Sequence, residues 1–280
     1  MMSQISQSSL ASKLPVSDAP FQGPWADDLA RPVMGMANDR DTESSLPAHR
    51  HEVAQLLFAS RGMMRVSTDD GAWIVPPERA VWLPPGCTHE VFCIGPVAIR
   101  SLYFHPDAAA QLPDACRVIV VQPLLREVIV TIVAGRQVYG DGDPEGRLVA
   151  VLLDLIAGAM PAPLHLPLPS DRRLKPVTDQ LVADPSDHRT LGQWARICGA
   201  SERTLARLFM TETGMSFNRW RQQARLQAAL GLLAQGKAVT TAALEVGYDS
   251  PSAFIAMFRR LLGETPRQYL ERTRSDAAPR

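Results

Sequence analysis

No apolar run in these 280 residues reaches the roughly 18 that a bilayer-spanning helix requires, so the sequence reads as that of a soluble protein. No C-x-x-C pair occurs among the four cysteines, Cys87, Cys93, Cys116 and Cys198, and their spacing matches no disulfide framework. A reduced, cytoplasmic chain is the expectation. The opening "MMSQISQSSLASKLPVSDAP" lacks the continuous apolar stretch of a secretory signal. Net charge is missing too: 29 Lys and Arg face 29 Asp and Glu, so the total suggests no partner.

The balance conceals a division. Residues 171–280 carry 17 Lys and Arg against 11 Asp and Glu, while the rest carries 12 against 18. A basic C-terminal part suits an anionic partner. Residues 1–45, rich in Ser, Asp and Ala, read as a flexible arm. From 46 to 106 the runs are strand-like: "QLLFAS", "MMRVSTDDGAWIVP", "AVWLP", "EVFCI" and "VAIRSLYFH". Their spacing predicts a small barrel or sandwich. Asp70-Gly71 marks a hairpin with a type I′ turn. Helices are predicted over Pro123–Val138 and Glu145–Met160. The second is apolar over much of its surface and needs cover from the domain or from a second copy of the chain. "PAPLHLPLP" opens a proline-rich linker over 161–170. Helical patterning then runs over 171–272, leaving 273–280 as a tail.

In "TLGQWARICGASERTLARLF", Leu191, Trp194, Ala195 and Cys198 share one helical face, and Gly199 stops the helix. Ser201 caps the next, whose Leu205, Leu208 and Phe209 face inward. Arg203 and Arg207, four apart, share the outer face. Two short helices about a glycine turn make a helix-turn-helix. "TTAALEVGYDSPSAFIAMFRRLLG" repeats it: Ala243 and Gly247 follow Ala195 and Gly199 by 48 residues, with one extra residue in the second turn. Phe254, Phe258 and Leu261 form its inward stripe, and Ser252, Ala256 and Arg259 lie outward. Between the units, a helix capped by Ser216 and ended by Gly236 runs for roughly 18 residues, about 27 Å. Major-groove faces recur about every 34 Å, so such a connector suits two recognition helices in adjacent grooves. Arg219, Arg221 and Arg225 lie near its start, within reach of phosphates; each alone also reads as part of a solvated face.

Over about 171–272 the chain resembles the DNA-binding domain of AraC/XylS-type transcription regulators. "GYDSPSAFIAMFRR" and the G-x-T-P-x-x-Y run from Gly263 to Tyr269 carry the likeness. The resemblance implies base-reading positions at Arg203, Ala206 and Arg207 in the first recognition helix and at Ser252 and Ala256 in the second, with Arg259 on phosphate. Arg to guanine is the commonest specific contact, whereas Ala256 offers only an apolar one.

In "PAHRHEVAQLLF", His49 and His51 would share one face of a strand, since strand side chains alternate. Imidazoles so presented are candidate ligands. With Gln55, and with Pro85-Gly86-x-x-His89 downstream, they resemble the two cupin motifs over about 46–106. Gln55 stands where that pattern usually has glutamate. The resemblance implies convergence of His49, His51, Gln55 and His89 on a divalent Zn, Fe, Ni, Cu or Mn ion. A metal-free effector pocket, or histidines merely hydrogen-bonded inside the barrel, fit the same residues. Cys87 is a further soft donor if it shares the face of His89, or a packed thiol. Trp73, Trp82 and Tyr103 read as core or barrel wall.

The fold expectation is α+β and multidomain: a cupin-like β-barrel with following helices over 46–160, then an all-α domain of two helix-turn-helix units. The functional expectation is a non-enzymatic, homodimeric regulator. Its partners would be a double-stranded operator, a small-molecule or metal effector, and RNA polymerase if it activates. A cupin metalloenzyme fused to a DNA-binding domain is the alternative.

Overall fold

The structure, a computed structural model, describes residues 31–136, 138–162 and 164–275. Most of the expected arm (residues 1–30) and residues 276–280 of the expected tail lie outside them. The described residues divide into two compact units, one of residues 31–68 and 73–162, the other of residues 69–72 and 164–275.

The first unit is built from β1 (Val33–Arg40), β2 (Ser44–His49), β3 (Ala54–Thr68), β4 (Gly71–Val75, its first two residues counted with the second unit), β5 (Arg79–Leu83), β6 (His89–Phe104), α1 (Pro106–Ala109), β7 (Arg117–Val120), α2 (Pro123–Ala134) and α3 (Pro144–Ala157). Strands thus begin at Val33, inside the stretch expected to be a flexible arm. All eight residues of β1 pair with β6, from Val33 opposite Phe104 to Arg40 opposite Val97. Asn38, Asp39 and Arg40 give this strand a loop-like composition, while the ladder with β6 supplies its order.

Four expected strands merge into two long ones. "QLLFAS" and "MMRVST" are both β3, and "EVFCI" and "VAIRSLYFH" are both β6. The register between β3 and β6 shifts on either side of Arg61. Gly62 sits there at φ +79°, where a Cβ would lie 2.1 Å from the Pro96 carbonyl oxygen. Only glycine satisfies both conditions, so β3 bends instead of breaking. Each long strand consequently serves two half-sheets. Residues 97–104 of β6 carry β1, residues 89–93 carry β2, and β5 lies on Gln55–Phe58 of β3. The next turn is at Asp69–Asp70, one residue before the Asp-Gly signal. Neither aspartate takes positive φ, so it is not the expected type I′ turn.

Helices α2 and α3 stop at Gly135 and Gly158, short of the predicted ends. They bury Leu125, Ile129, Ile132, Val149, Leu152 and Ile156 against Leu56, Phe58, Trp82, Leu102 and Phe104. Each fully buried side chain of this size stabilises by about 1.5–3 kcal/mol. Trp82 and Trp73 are core, as expected, and the Trp82 Nε1 donates to the Pro113 carbonyl at 2.7 Å.

The second unit contains β8 (His165–Pro167), α4 (Lys175–Ala183), α5 (Leu191–Ile197), α6 (Glu202–Thr213), α7 (Phe217–Ala234), α8 (Val239–Glu245), α9 (Pro251–Leu262) and α10 (Pro266–Ser275). The expected linker is therefore partly structured: Leu166 of β8 is buried in the core formed with Leu181, Trp194, Phe209 and Trp220. The helix-turn-helix expectation holds in detail. Ser201, Ser216 and Ser250 cap α6, α7 and α9 through their hydroxyls. The 48-residue repeat is a repeated hydrogen bond. Ala200 N donates to Ala195 O at 2.9 Å, and Tyr248 N donates to Ala243 O at 3.0 Å. Both close the helix across a left-handed glycine, the Schellman arrangement. Gly247 is doubly constrained, since a Cβ there would meet the Ser186 Cα at 2.7 Å. No helix among the described residues is long and apolar enough to cross a membrane.

Candidate functional site

The first unit gathers all four sequence-identified donors. His49 ends β2 and stands directly opposite His89, the first residue of β6. Their rings lie 4.3 Å apart, and the His51 ring lies 5.2 Å from that of His89. His51 is not on the strand with His49, as alternation suggested, because β2 ends at His49. It reaches the cluster from the segment leading into β3. One ring nitrogen from each histidine falls within 4.8 Å of the other two, and all three residues are buried.

The proton positions follow from the backbone. The Nδ1 atoms of His49, His51 and His89 lie 2.8, 2.6 and 2.9 Å from the carbonyl oxygens of Pro47, Val53 and Cys87. A carbonyl only accepts, so each Nδ1 carries a proton, and a ring that is neutral keeps its lone pair on Nε2. Burial enforces neutrality: desolvation pushes His89 down to about 3 and lowers His51 as well. The His89 Nε2 is fully buried and has no hydrogen-bond partner among the described residues. Such an orphaned acceptor costs stability unless something fills it.

Gln55, at the start of β3, lies beside His51. Its Oε1 is 3.0 Å from the His51 Nε2, and its Nε2 donates to the Tyr103 hydroxyl at 2.9 Å and the Ser101 hydroxyl at 3.4 Å. Tyr103 therefore belongs to the site and is not simply wall. Burial pushes its phenol up to about 12, so it stays protonated. Sequence reasoning missed Tyr103 and Ser101, although two-residue alternation along β6 puts them on one face. Cys87 does not join the histidines. It precedes β6 and faces Cys116 instead.

On the second unit, Arg203 and Arg207 are exposed on α6, with Ala206 half-buried between them. Neither guanidinium has an ion-pair partner among the described residues. Met210 extends this face and is 54% exposed. On α9, Ser252, Ala256 and Arg259 are exposed and line a groove with Ile255, Arg260 and Thr265. Helical spacing from Ser252 would have found Ile255. The arginines of α7 part company. Arg219 is exposed, but Arg221 donates to the Arg189 carbonyl at 3.1 Å. Arg225 is buried and donates through Nε to the Pro185 carbonyl at 2.8 Å. These two brace loops of the unit.

Comparison with known proteins agrees with both halves. Residues 34–159 match the AraC-like ligand binding domain, and residues 194–272 match a helix-turn-helix domain. The HTH-type transcriptional regulator NimR of Escherichia coli is 37% identical over 231 residues, 82% of this chain and 84% of that one. The HTH-type transcriptional regulator RipA of Corynebacterium glutamicum is 38% identical over 112 residues, 40% of this chain and 33% of that one. Among solved structures, unsaturated fatty acid-bound ToxT from Vibrio cholerae is 11% identical with a TM-score of 0.37, over 86% of this chain and 95% of that one. The chain belongs to the AraC family of transcriptional regulators, with a ligand-binding domain ahead of a DNA-binding helix-turn-helix domain.

Proposed function

We propose that this regulator senses through a divalent transition metal held by His49, His51 and His89, with Gln55 as a fourth donor. The carrying observation is the geometry: three buried rings each set Nδ1 against a backbone carbonyl, and one ring nitrogen of each lies within 4.8 Å of the other two. Imidazole sites with an outer hydrogen bond on the second nitrogen are typical of metal ligation. The Gln55 Oε1 lies 3.0 Å from the His51 Nε2. With the His51 proton already on Nδ1, that pair suits neighbouring ligands of one cation. Zn, Fe, Ni, Cu or Mn all suit such donors. When bound, the ion supplies a Lewis-acidic centre on which an effector docks. Sensing needs only differential affinity between two states of the protein, not turnover.

For DNA, the reading assigns base contacts to Arg203, Ala206 and Arg207 on α6 and to Ser252 and Ala256 on α9, with Arg259 on phosphate. The exposure of Arg203, Arg207, Ser252, Ala256 and Arg259, and the lack of ion-pair partners for Arg203 and Arg207 among the described residues, support it. Because α9 offers mainly small side chains, α6 supplies more of the sequence information. A cytoplasmic homodimer fits the exposed Leu124 of α2 and Val151 of α3; RNA polymerase is its partner if it activates.

Metal analysis of protein purified without chelators, paired with operator footprinting before and after metal removal, tests the reading. About one equivalent of transition metal and a metal-dependent footprint are expected. Metal-free protein that takes up no added Zn, Fe, Ni, Cu or Mn would overturn the metal reading. Absence of any sequence-specific footprint, with or without metal, would overturn the operator reading.

A further inference from the structure

We propose that Cys87 and Cys116 form a peroxide-oxidisable dithiol, closing to an intrachain disulfide at the edge of the histidine site. Their Sγ atoms are 3.0 Å apart although the residues are 29 positions apart in sequence. Neither is in a disulfide, and both are half-buried. A disulfide needs about 2.05 Å between sulfurs, so about 1 Å of approach completes the bond.

The other two thiols are placed differently. Cys93 is fully buried on β6, which denies it an oxidant. Cys198, at the end of α5, has no second cysteine within its own unit, and desolvation raises its thiol. Selectivity for the pair thus rests on access and on a resolving partner within reach.

The chemistry closes with hydrogen peroxide as the oxidant. One thiol attacks a peroxide oxygen, the O–O bond breaks, and the products are a sulfenic acid and water. The second thiol then attacks the sulfenic sulfur, forming the S–S bond and releasing a second water. Two electrons pass from the two sulfurs to the peroxide, and both thiol protons leave in water.

The position gives the disulfide something to hold. The turn Pro84–Cys87 is pinned to the histidine segment, since Gly86 N donates to the His51 carbonyl at 2.9 Å. Cys87 contributes the carbonyl that takes the His89 Nδ1 proton. Oxidation would tie this turn to the segment entering β7, so the modification site and the tautomer of His89 share one residue. The dithiol itself does not depend on whether the histidines hold a metal.

The test treats the native full chain with a few equivalents of hydrogen peroxide, then counts thiols after denaturation and maps peptides without reduction. Free thiols should fall from four to two, with a new peptide joining Cys87 to Cys116. Fragment spectra distinguish Cys87 from Cys93, which a tryptic digest leaves in the same peptide. Cys116→Ser should instead leave a Cys87 sulfenic acid that dimedone traps, while Cys93→Ser should cross-link as the parent does. Retention of four thiols, cross-links between chains, or preferential oxidation of Cys198 would each overturn the proposal.

Discussion

Replacing Arg225 with methionine should unfold this regulator more readily without touching its salt-dependent grip on DNA. Arg225 is 8% exposed on α7. Its Nε donates to the Pro185 carbonyl at 2.8 Å, a second nitrogen lies 3.4 Å from the Asp187 carbonyl, and the group sits 5.4 Å from the Tyr248 ring centre. One side chain thus joins α7, the loop after α4, and the turn of the second helix-turn-helix. A hydrogen bond to a charged group contributes about 1.5–3 kcal/mol, and leaving a buried carbonyl unmatched costs a comparable amount. A partly desolvated cation–π contact adds about 0.5–2 kcal/mol. Methionine keeps most of the stem's packing, so the loss should come to about 2–4 kcal/mol.

Urea denaturation followed by tryptophan fluorescence reads this directly, because Trp194 and Trp220 lie in the core of the same unit. The expected result is a lower midpoint with an unchanged slope. Below the transition, affinity for nonspecific DNA and its dependence on salt should match the parent. The reasoning fails if stability moves by less than about 0.5 kcal/mol. It fails equally if the salt slope of DNA binding drops by about 1, the sign of a lost phosphate contact.

Arg207→Ala should relax base preference at one operator position by about 1–3 kcal/mol; equal affinity for operator and single-base variants in a fixed-salt titration would refute that role. Arg259→Ala should weaken specific and nonspecific binding alike and flatten the salt slope by about 1; a change confined to one sequence would reassign the residue to base reading. Gln55→Glu should tighten metal binding tenfold or more, about 1.4 kcal/mol or greater, because no Asp or Glu is buried among the described residues to offset the ion's charge. Chelator competition measures it, and an unchanged or weaker affinity would count against Gln55 as a donor. Metal-free protein should lose stability in acid. His89 is depressed to about 3 in the folded state against 6.5 unfolded, so between those values the unfolded chain binds the extra proton. Stability is full above pH 6.5 and falls as pH drops toward 3, by about 2 kcal/mol from His89 between pH 7 and pH 5. His89→Ala should remove that part of the slope in denaturant titrations at the two pH values.

What was legible in the sequence was what is local. Caps at Ser201 and Ser216, the glycines of both turns, and the inward stripe of α6 each depend on residues within a turn or two. The match with the structure there is close. The outer-face assignment of Arg203 and Arg207 follows from the same helical period. Burial of a long cationic side chain is different, because it is decided by whatever packs over it. The Pro185 and Asp187 carbonyls that take Arg225 lie 40 and 38 residues away, and no period on α7 announces them. The histidine cluster shows both cases at once. The spacing of His49, His51 and His89 was visible, yet the partner that fixes Gln55 is Tyr103, 48 residues on, brought opposite by the β3–β6 ladder. That register also explains why the order of β1 escaped notice: its pairing partners lie on β6, more than fifty residues downstream. A site assembled by strand pairing thus yields its donors to sequence reading and keeps its orienting groups for the structure. For this chain, the orienting groups decide the chemistry. The backbone carbonyls of Pro47, Val53 and Cys87 set the orientation of three buried imidazoles, and the proposed metal reading depends on that orientation.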